Sequence, residues 1–356
     1  MKLLSCRCRA VPCRVLPGLL VPGLLLAAAF GGGCQAAAPP EPTALTVMTW
    51  NLEWFFDEYT GDNFSDLAKQ QAAPRREDWN WRRDAVAAQL AKAAPTIVGL
   101  QEIENQRVLY YLRQAVQRNH GLAFRDAFSQ GTDFFTEQDV GFLYAEDVAM
   151  LRTSRYGQTA SMRQGERYHD LSKHLEVVFE IPLGDGEMTE VTVLNLHLRA
   201  RPKGQPIRLR QARLAHAWLA ERIAAGENVI MLGDFNTEQQ AVPTTGGSDL
   251  AAALGRDTPT PNDDLVDLHG YLPASQGRTH LLAGKQFDRI LVSPSLIEDD
   301  PQRRDLVLSD VEVQRDLAVR GRLDPPDEHF DHYWKLAPPE RDLSDHWPLT
   351  ARFTIR

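Results

Sequence analysis

From Leu45 to the C-terminus, short apolar strand-like runs alternate with helical patterns, without an internal repeat or a low-complexity linker. This alternation restricts the fold more than any other feature. A strand buries its faces and a helix buries a stripe, so interleaving the two requires layers. Residues 47–52 alternate, with Val47, Thr49 and Asn51 on one face and Met48, Trp50 and Leu52 on the other. Further strands are expected at 96–100, 141–144, 175–181, 191–198, 229–232, 287–292 and 349–355. Helical spacing predicts a helix over 81–94, with Trp81, Ala85, Val86, Leu90 and Ala93 on one stripe and Pro95 ending it. A second helix, over 104–118, carries Val108, Leu109, Leu112, Ala115 and Val116 and stops at Gly121. A third, over 207–225, turns Leu214, Ala217, Trp218 and Ile223 inward and Arg208 and Arg222 outward. The polar stretch 57–78 reads as a loop. The expected architecture is one α/β domain over 45–356: a four-layer sandwich of two packed mixed β-sheets flanked by helices.

Composition narrows the class. With 43% hydrophobic and 24% charged residues, the 356-residue chain is neither a disordered tail, nor a collagen-like fibre, nor a multi-span membrane protein. A net charge of −9 argues against coating nucleic acid by bulk positive charge and leaves a local pocket open. All four cysteines, Cys6, Cys8, Cys13 and Cys34, lie in the first tenth of the chain. They accompany Arg7, Arg9 and Arg14 and an acid-free apolar stretch from Val15 to Phe30, the pattern of a secretory signal over 1–33. Prolines and glycines at 17, 18, 22 and 23 interrupt it, and it is shorter than the roughly 20 residues of a spanning helix. Small residues leading into Cys34, and a Pro/Ala-rich tether over 34–44, resemble a bacterial lipoprotein signal in which Cys34 is lipidated. Ordinary cleavage near Ala36 to Ala38 is the alternative. Either route leaves 35 Lys and Arg against 48 Asp and Glu, a net charge of −13.

Polar residues stand at the ends of the apolar runs, where strand physics alone would not choose them. Asn51 closes one strand, Glu102 follows the next, and Asn195 and His197 share a face of 191–198. Asp234 and Asn236 follow 229–232, and Asp345 and His346 precede the final strand. Taken singly, Asn51 could form a turn, Glu102 could cap a helix, His197 could be a satisfied core histidine and Asp345 could be an N-cap. Converging at strand ends, they would need a metal or a mutual hydrogen-bond network to offset their burial.

The stretches VMTWNLEWF, IVGLQEIEN, VTVLNLHLRA, NVIMLGDFNTE, FDRILVS and SDHWPLTARF occur in this order from residue 47 to 353. Together they resemble the endonuclease/exonuclease/phosphatase superfamily of metal-dependent hydrolases. The resemblance implies a Mg2+ site at Glu102, with Asn51 helping to hold metal and phosphate and Asp345 completing a second cation position. Mn2+ or Ca2+ could substitute. A hard cation using one or two carboxylates and several waters suits Glu102. His346 is the implied general base, with Asp288 fixing its tautomer. Asp234 is implied to position the attacking water, Asn236 to bond the phosphate, and His197, as in the deoxyribonuclease-like branch, to contact phosphate or protonate the leaving oxygen. Thr279 and His280 resemble a pair that relatives place near the phosphate.

Substrate choice is less legible. Arg199, Arg201 and Lys203 could meet a phosphate backbone, as could Asn195 and His280, although a charge run is usually a solvated face. Trp79, Trp81, Arg82 and Arg83 could stack bases or pack in the core. His329, Asp331 and His332 lie in an insert that could be an exposed loop or touch the site. A serine triad is excluded, because Ser344, Asp345 and His346 are adjacent and no nucleophile elbow exists. The expectation is an exported, monomeric phosphodiesterase acting on nucleic acid, touching membrane through the lipid anchor alone. Alternatives on the same fold are a sphingomyelinase-like phospholipase C, with no obvious apolar membrane-inserting hairpin, and a phosphomonoesterase. From another class, a catalytically degenerate binding lipoprotein remains.

Overall fold

The computed structural model describes residues 44–156, 171–239, 247–320 and 333–356. The proposed signal, the tether, Cys34 and the His329, Asp331 and His332 insert lie outside the described residues.

Two six-stranded mixed sheets carry the fold. The first is ordered β11 (Leu306–Val313), β12 (Leu349–Ile355), β1 (Ala44–Phe55), β2 (Ile97–Ile103), β4 (Asp139–Ala145) and β3 (Phe124–Ser129). The second is ordered β5 (Ala149–Ser154), β6 (His174–Gly184), β7 (Glu187–His197), β8 (Asn228–Asp234), β10 (Asp288–Val292) and β9 (Val266–Asp267). Between them packs a core that includes Val47, Ile97, Phe142, Phe179, Val193, Leu232 and Phe353. Each such side chain, fully buried, contributes about 1.5–3 kcal/mol. Met48, Trp50 and Leu52 face the other way, under α2 (Arg76–Ala93) and α3 (Gln106–His120). The alternation read in 47–52 therefore divides one strand between two cores. On the far side, Leu194, Leu196 and Met231 pack beneath α4 (Gln205–Ala224) and α5 (Asp249–Ala253). This is the expected four-layer sandwich.

Each sheet contains one parallel pair, β1 with β2 and β7 with β8. A parallel neighbour needs a crossover, which the helices supply, and it sets two strand ends side by side at the same rim. Register then fixes who meets whom: Asn51 pairs with Gln101, His197 with Asp234, and Asp234 with Asp288. An isolated bridge joins His280 to His346.

Three local expectations require correction. The stretch 57–78 contains a helix, α1 (Asp66–Gln71), whose N-cap Ser65 accepts from Ala68 N. The inward face of α4 is rotated from the one expected: Ala215, Leu219 and Ile223 are buried, Ala217 is exposed, and Arg208 is wholly buried because Asp249 and the carbonyls of Arg199 and Arg201 accept from its guanidinium. Trp79 and Arg82 are not a surface for bases; Trp79 packs in the core and Arg82 is fully buried. Strands β3, β5, β9 and β11 were not anticipated. All four are sheet edges, short or half-exposed, so that none carries a clean apolar alternation.

Candidate active site

The residues at these strand ends form one buried cluster. Asp234 Oδ2 is its hub: Asn51 Nδ2 donates to it at 3.0 Å and Asn236 Nδ2 at 2.9 Å. His197 Nε2 lies 3.5 Å and His346 Nε2 3.8 Å from the same oxygen. Asp234 reaches this point because Gly233, at φ 138, lets β8 press against β7; a Cβ there would fall 1.9 Å from the Leu196 carbonyl oxygen. Asn51 also donates to Glu102 Oε1 at 3.1 Å, while Glu102 Oε2 accepts from Trp54 N at 2.8 Å.

Strain marks the same place. Glu53, Trp54, Glu102 and Asn236 all adopt positive φ, between 44° and 60°. Such non-glycine conformations persist where surrounding contacts over-determine them, and they concentrate at functional sites. Arg82 supplies part of that determination, donating from beneath to the carbonyls of Leu52, Glu53, Trp54 and Leu343.

His346 is held at both ends of its peptide and at its ring. Its N–H donates to Ser344 Oγ, its carbonyl accepts from Trp50 Nε1, and its Nδ1 lies 2.8 Å from Asp288 Oδ2. That last contact fixes the tautomer and leaves Nε2 facing Asp234 and Asp345, each 3.8 Å away. Burial opposes the imidazolium, yet Asp288, Asp345 and Asp234 outweigh it and hold the His346 pKa well above its ordinary value. His197 goes the other way. Burial, with Lys173 and His346 nearby, pushes it well below, so it stands as a neutral imidazole.

Burial raises Glu102 to about 7, with Asp345 adding to it, and burial likewise raises Asp234 to about 6 despite His346 nearby. These acids are crowded against their electrostatic preference, and Asp288 Oδ1 is buried without a hydrogen-bond partner. The side chains of Glu102 and Asp345 keep 12% and 21% exposure, enough for solvent to complete a coordination shell. Hard carboxylate oxygens with water access fit a divalent cation such as Mg2+. Two groups of side chains bring ligand atoms close enough together, Glu102 with His197 and Asp234, and His280 with Asp345 and His346.

His280 lies beside Asp345 and His346. Its Nδ1 accepts from Leu282 N at 2.9 Å, so its Nε2 carries the proton and donates to Asp345 Oδ2 at 3.1 Å. Thr279 is structural: its hydroxyl accepts from Asp288 N and its carbonyl from Trp347 N. Asn195 is corrected from substrate contact to a bolt between the sheets. Fully buried, it donates to the carbonyls of Leu100 and Gly141 and accepts from Gln101 Nε2. Arg199 and Lys203 are exposed on the loop after His197, outside this cluster. Sequence reasoning missed Glu53, whose carboxylate accepts from Asp345 N at 3.0 Å, and Ser344, whose hydroxyl donates to the Asn51 carbonyl. The one signal for Glu53 was its place two residues after Asn51.

Paired acids around an imidazole, at the strand ends of an α/β sandwich, form a site whose donor set suits a divalent cation. The chain belongs to the Endonuclease/Exonuclease/phosphatase family, whose sequence profile matches residues 48–346. Among solved structures it is similar to Danio rerio TDP2 complexed with single-strand DNA product (14% identity, TM-score 0.53, covering 88% of this chain and 100% of that one). A mannosyl-6-phosphatase of Bacteroides thetaiotaomicron is similar at 17% identity and TM-score 0.53, covering 87% and 99%. A family protein from the same bacterium matches at 17% and 0.53, covering 89% and 99%. These likenesses establish the fold. A comparison with curated proteins finds no match to this sequence.

Proposed function

We propose that the chain is an exported, Mg2+-dependent phosphodiesterase acting on nucleic acid. The observation that carries this reading is the His346–Asp288 pair, 2.8 Å apart, aiming Nε2 into a pocket bounded by Asp234, Asp345, His197 and Glu102. In its neutral form His346 Nε2 accepts a proton from the attacking water; a cation held by the surrounding carboxylates would offset the negative charge that otherwise keeps the ring protonated. Asp234 orients that water. Asn236 and the N–H of neutral His197 meet the phosphate oxygens as charge builds on them. Glu102, with Asn51 beside it and Asp345 opposite, would hold the cation, which when bound neutralises the phosphoryl group. Export rests on the basic and apolar N-terminal pattern, and anchoring rests on Cys34. The TDP2 neighbour with its DNA product is in keeping with a nucleic-acid phosphodiester.

A second reading has an observation of its own. Phe64, Phe134 and Phe135 are 61–70% exposed on two loops joined by Glu137 accepting from Phe64 N and Ser65 N. Such an apolar knuckle also suits a phospholipid surface.

The test incubates the chain without its first 33 residues with plasmid DNA, RNA, a sphingomyelin analogue, a sugar phosphate and a chromogenic phosphodiester, with Mg2+ or with chelator. Nucleic-acid turnover that requires Mg2+ and falls with His346→Ala supports the proposal. Preference for the sphingomyelin analogue or the monoester transfers the site to the alternative, and no turnover at all leaves a binding lipoprotein. Mass spectrometry of the N-terminus finds acylated Cys34 if the anchor is present.

A further inference from the structure

A groove of about 940 Å3 runs behind the catalytic loop, between the end of α2, the end of β11, α6 (Arg315–Ala318) and the segment before His280. Its lining includes Lys92, Arg278, Arg315 and Arg352, against the acids Glu312 and Asp316. None of these four cations has a carboxylate within 4.0 Å among the described residues. Arg278 and Arg315 instead share one ring: their guanidinium carbons lie 4.7 and 5.3 Å from the centre of Trp347, the residue after His346. Arg278 is locked in place by donating to the carbonyls of His280 and Leu281. Burial, and then the like charge of Arg315, disfavour its protonated form. The indole Nε1 of Trp347 is itself buried without an acceptor. Four cations against two acids leave the groove with an excess of positive charge, which is complementary to an anion.

We propose that this groove is a second binding site, which takes the backbone of a single-stranded nucleic acid. It rests on the phosphodiesterase reading. The groove extends from Trp347 to the last turn of α2, so it is longer than a single phosphate requires. Cations beside an aromatic floor track a single strand, with guanidinium planes offering faces to its bases. An acidic peptide offers the charge without those flat faces.

The experiment measures binding by the full chain of a fluorescein-labelled single-stranded oligodeoxynucleotide, by anisotropy across KCl concentrations, with chelator present to prevent turnover. Arg315→Gln with Arg352→Gln should weaken binding about tenfold and lower the salt slope by about 1.4, since each neutralised phosphate of a single strand contributes roughly 0.7. Arg315→Lys with Arg352→Lys should retain the slope. Both pairs are exposed, and melting curves matching the parent chain confirm that they fold. Affinity and slope unchanged in the glutamine variant overturn the proposal, as does competition by polyglutamate or duplex DNA equal to that of the single strand. Turnover of the small chromogenic diester by the parent chain reads the phosphodiesterase separately. If that fails while the glutamine variant loses the oligonucleotide, the groove stands and the activity falls.

Discussion

Asp288 reaches His346 with one oxygen and leaves the other buried without a partner, so this carboxylate serves the imidazole and little else. Replacing it with Asn keeps the shape and removes the charge that stabilises the imidazolium. Asp288→Asn should therefore lower kcat on a phosphodiester by about 10²–10⁴ with KM little changed, read from steady-state kinetics. Asn195 answers to a different cost. Asn195→Leu takes the side-chain donor from the Leu100 and Gly141 carbonyls and one of three acceptors from Gln101 Nε2, which keeps Thr49 Oγ1 and the Gly99 carbonyl, and should cost about 1–3 kcal/mol in denaturant unfolding. The two residues look equally functional in the sequence, since each is polar within an apolar run. What separates them is the face on which each strand turns them, toward the rim or into the space between the sheets.

At the scale of the element, β8 depends on Gly233, because close packing on β7 leaves no room for a side chain. Gly233→Ala should displace Asp234, abolishing turnover and lowering the melting temperature. Strand β6 begins with a histidine that titrates against the fold. His174 Nδ1 donates to the Leu171 carbonyl and Nε2 accepts from Tyr156 N, a neutral ring with both nitrogens in use, and burial lowers its pKa from 6.5 to about 4. The unfolded chain binds the proton more readily, so this contribution is whole above pH 6.5 and is lost as pH falls toward 4, by roughly 3 kcal/mol in all. His174→Gln, which can keep both hydrogen bonds, should lose less stability than the parent chain across that interval. The rotated face of α4 belongs here too. Periodicity placed Arg208 outward because it is charged, and a charge is buried only when distant partners are supplied. Asp249, 41 residues on, is such a partner.

For the whole molecule, a cation that binds the folded site and not the unfolded chain must stabilise the fold. Mg2+ at a hundred times its Kd should add about 2.7 kcal/mol, seen as a rise in melting temperature that chelator reverses and Glu102→Ala removes. Family, layering and most of the residues that gather in the candidate site were legible in the sequence, because strand alternation, helical spacing and the ordered motifs from Asn51 to His346 are local signals that survive without coordinates. Edge strands, the α1 helix, Glu53, the duty of Asn195 and the unpaired cations around Trp347 were not. Each depends on which residue stands opposite across a sheet or a groove, and that pairing exists only once parallel crossovers and register have brought distant segments together. The sequence by itself determined which residues were competent for phosphoryl chemistry. Tertiary structure decided which of them meet, because the orientation of an imidazole is set by the carboxylate 58 residues away that holds its other nitrogen.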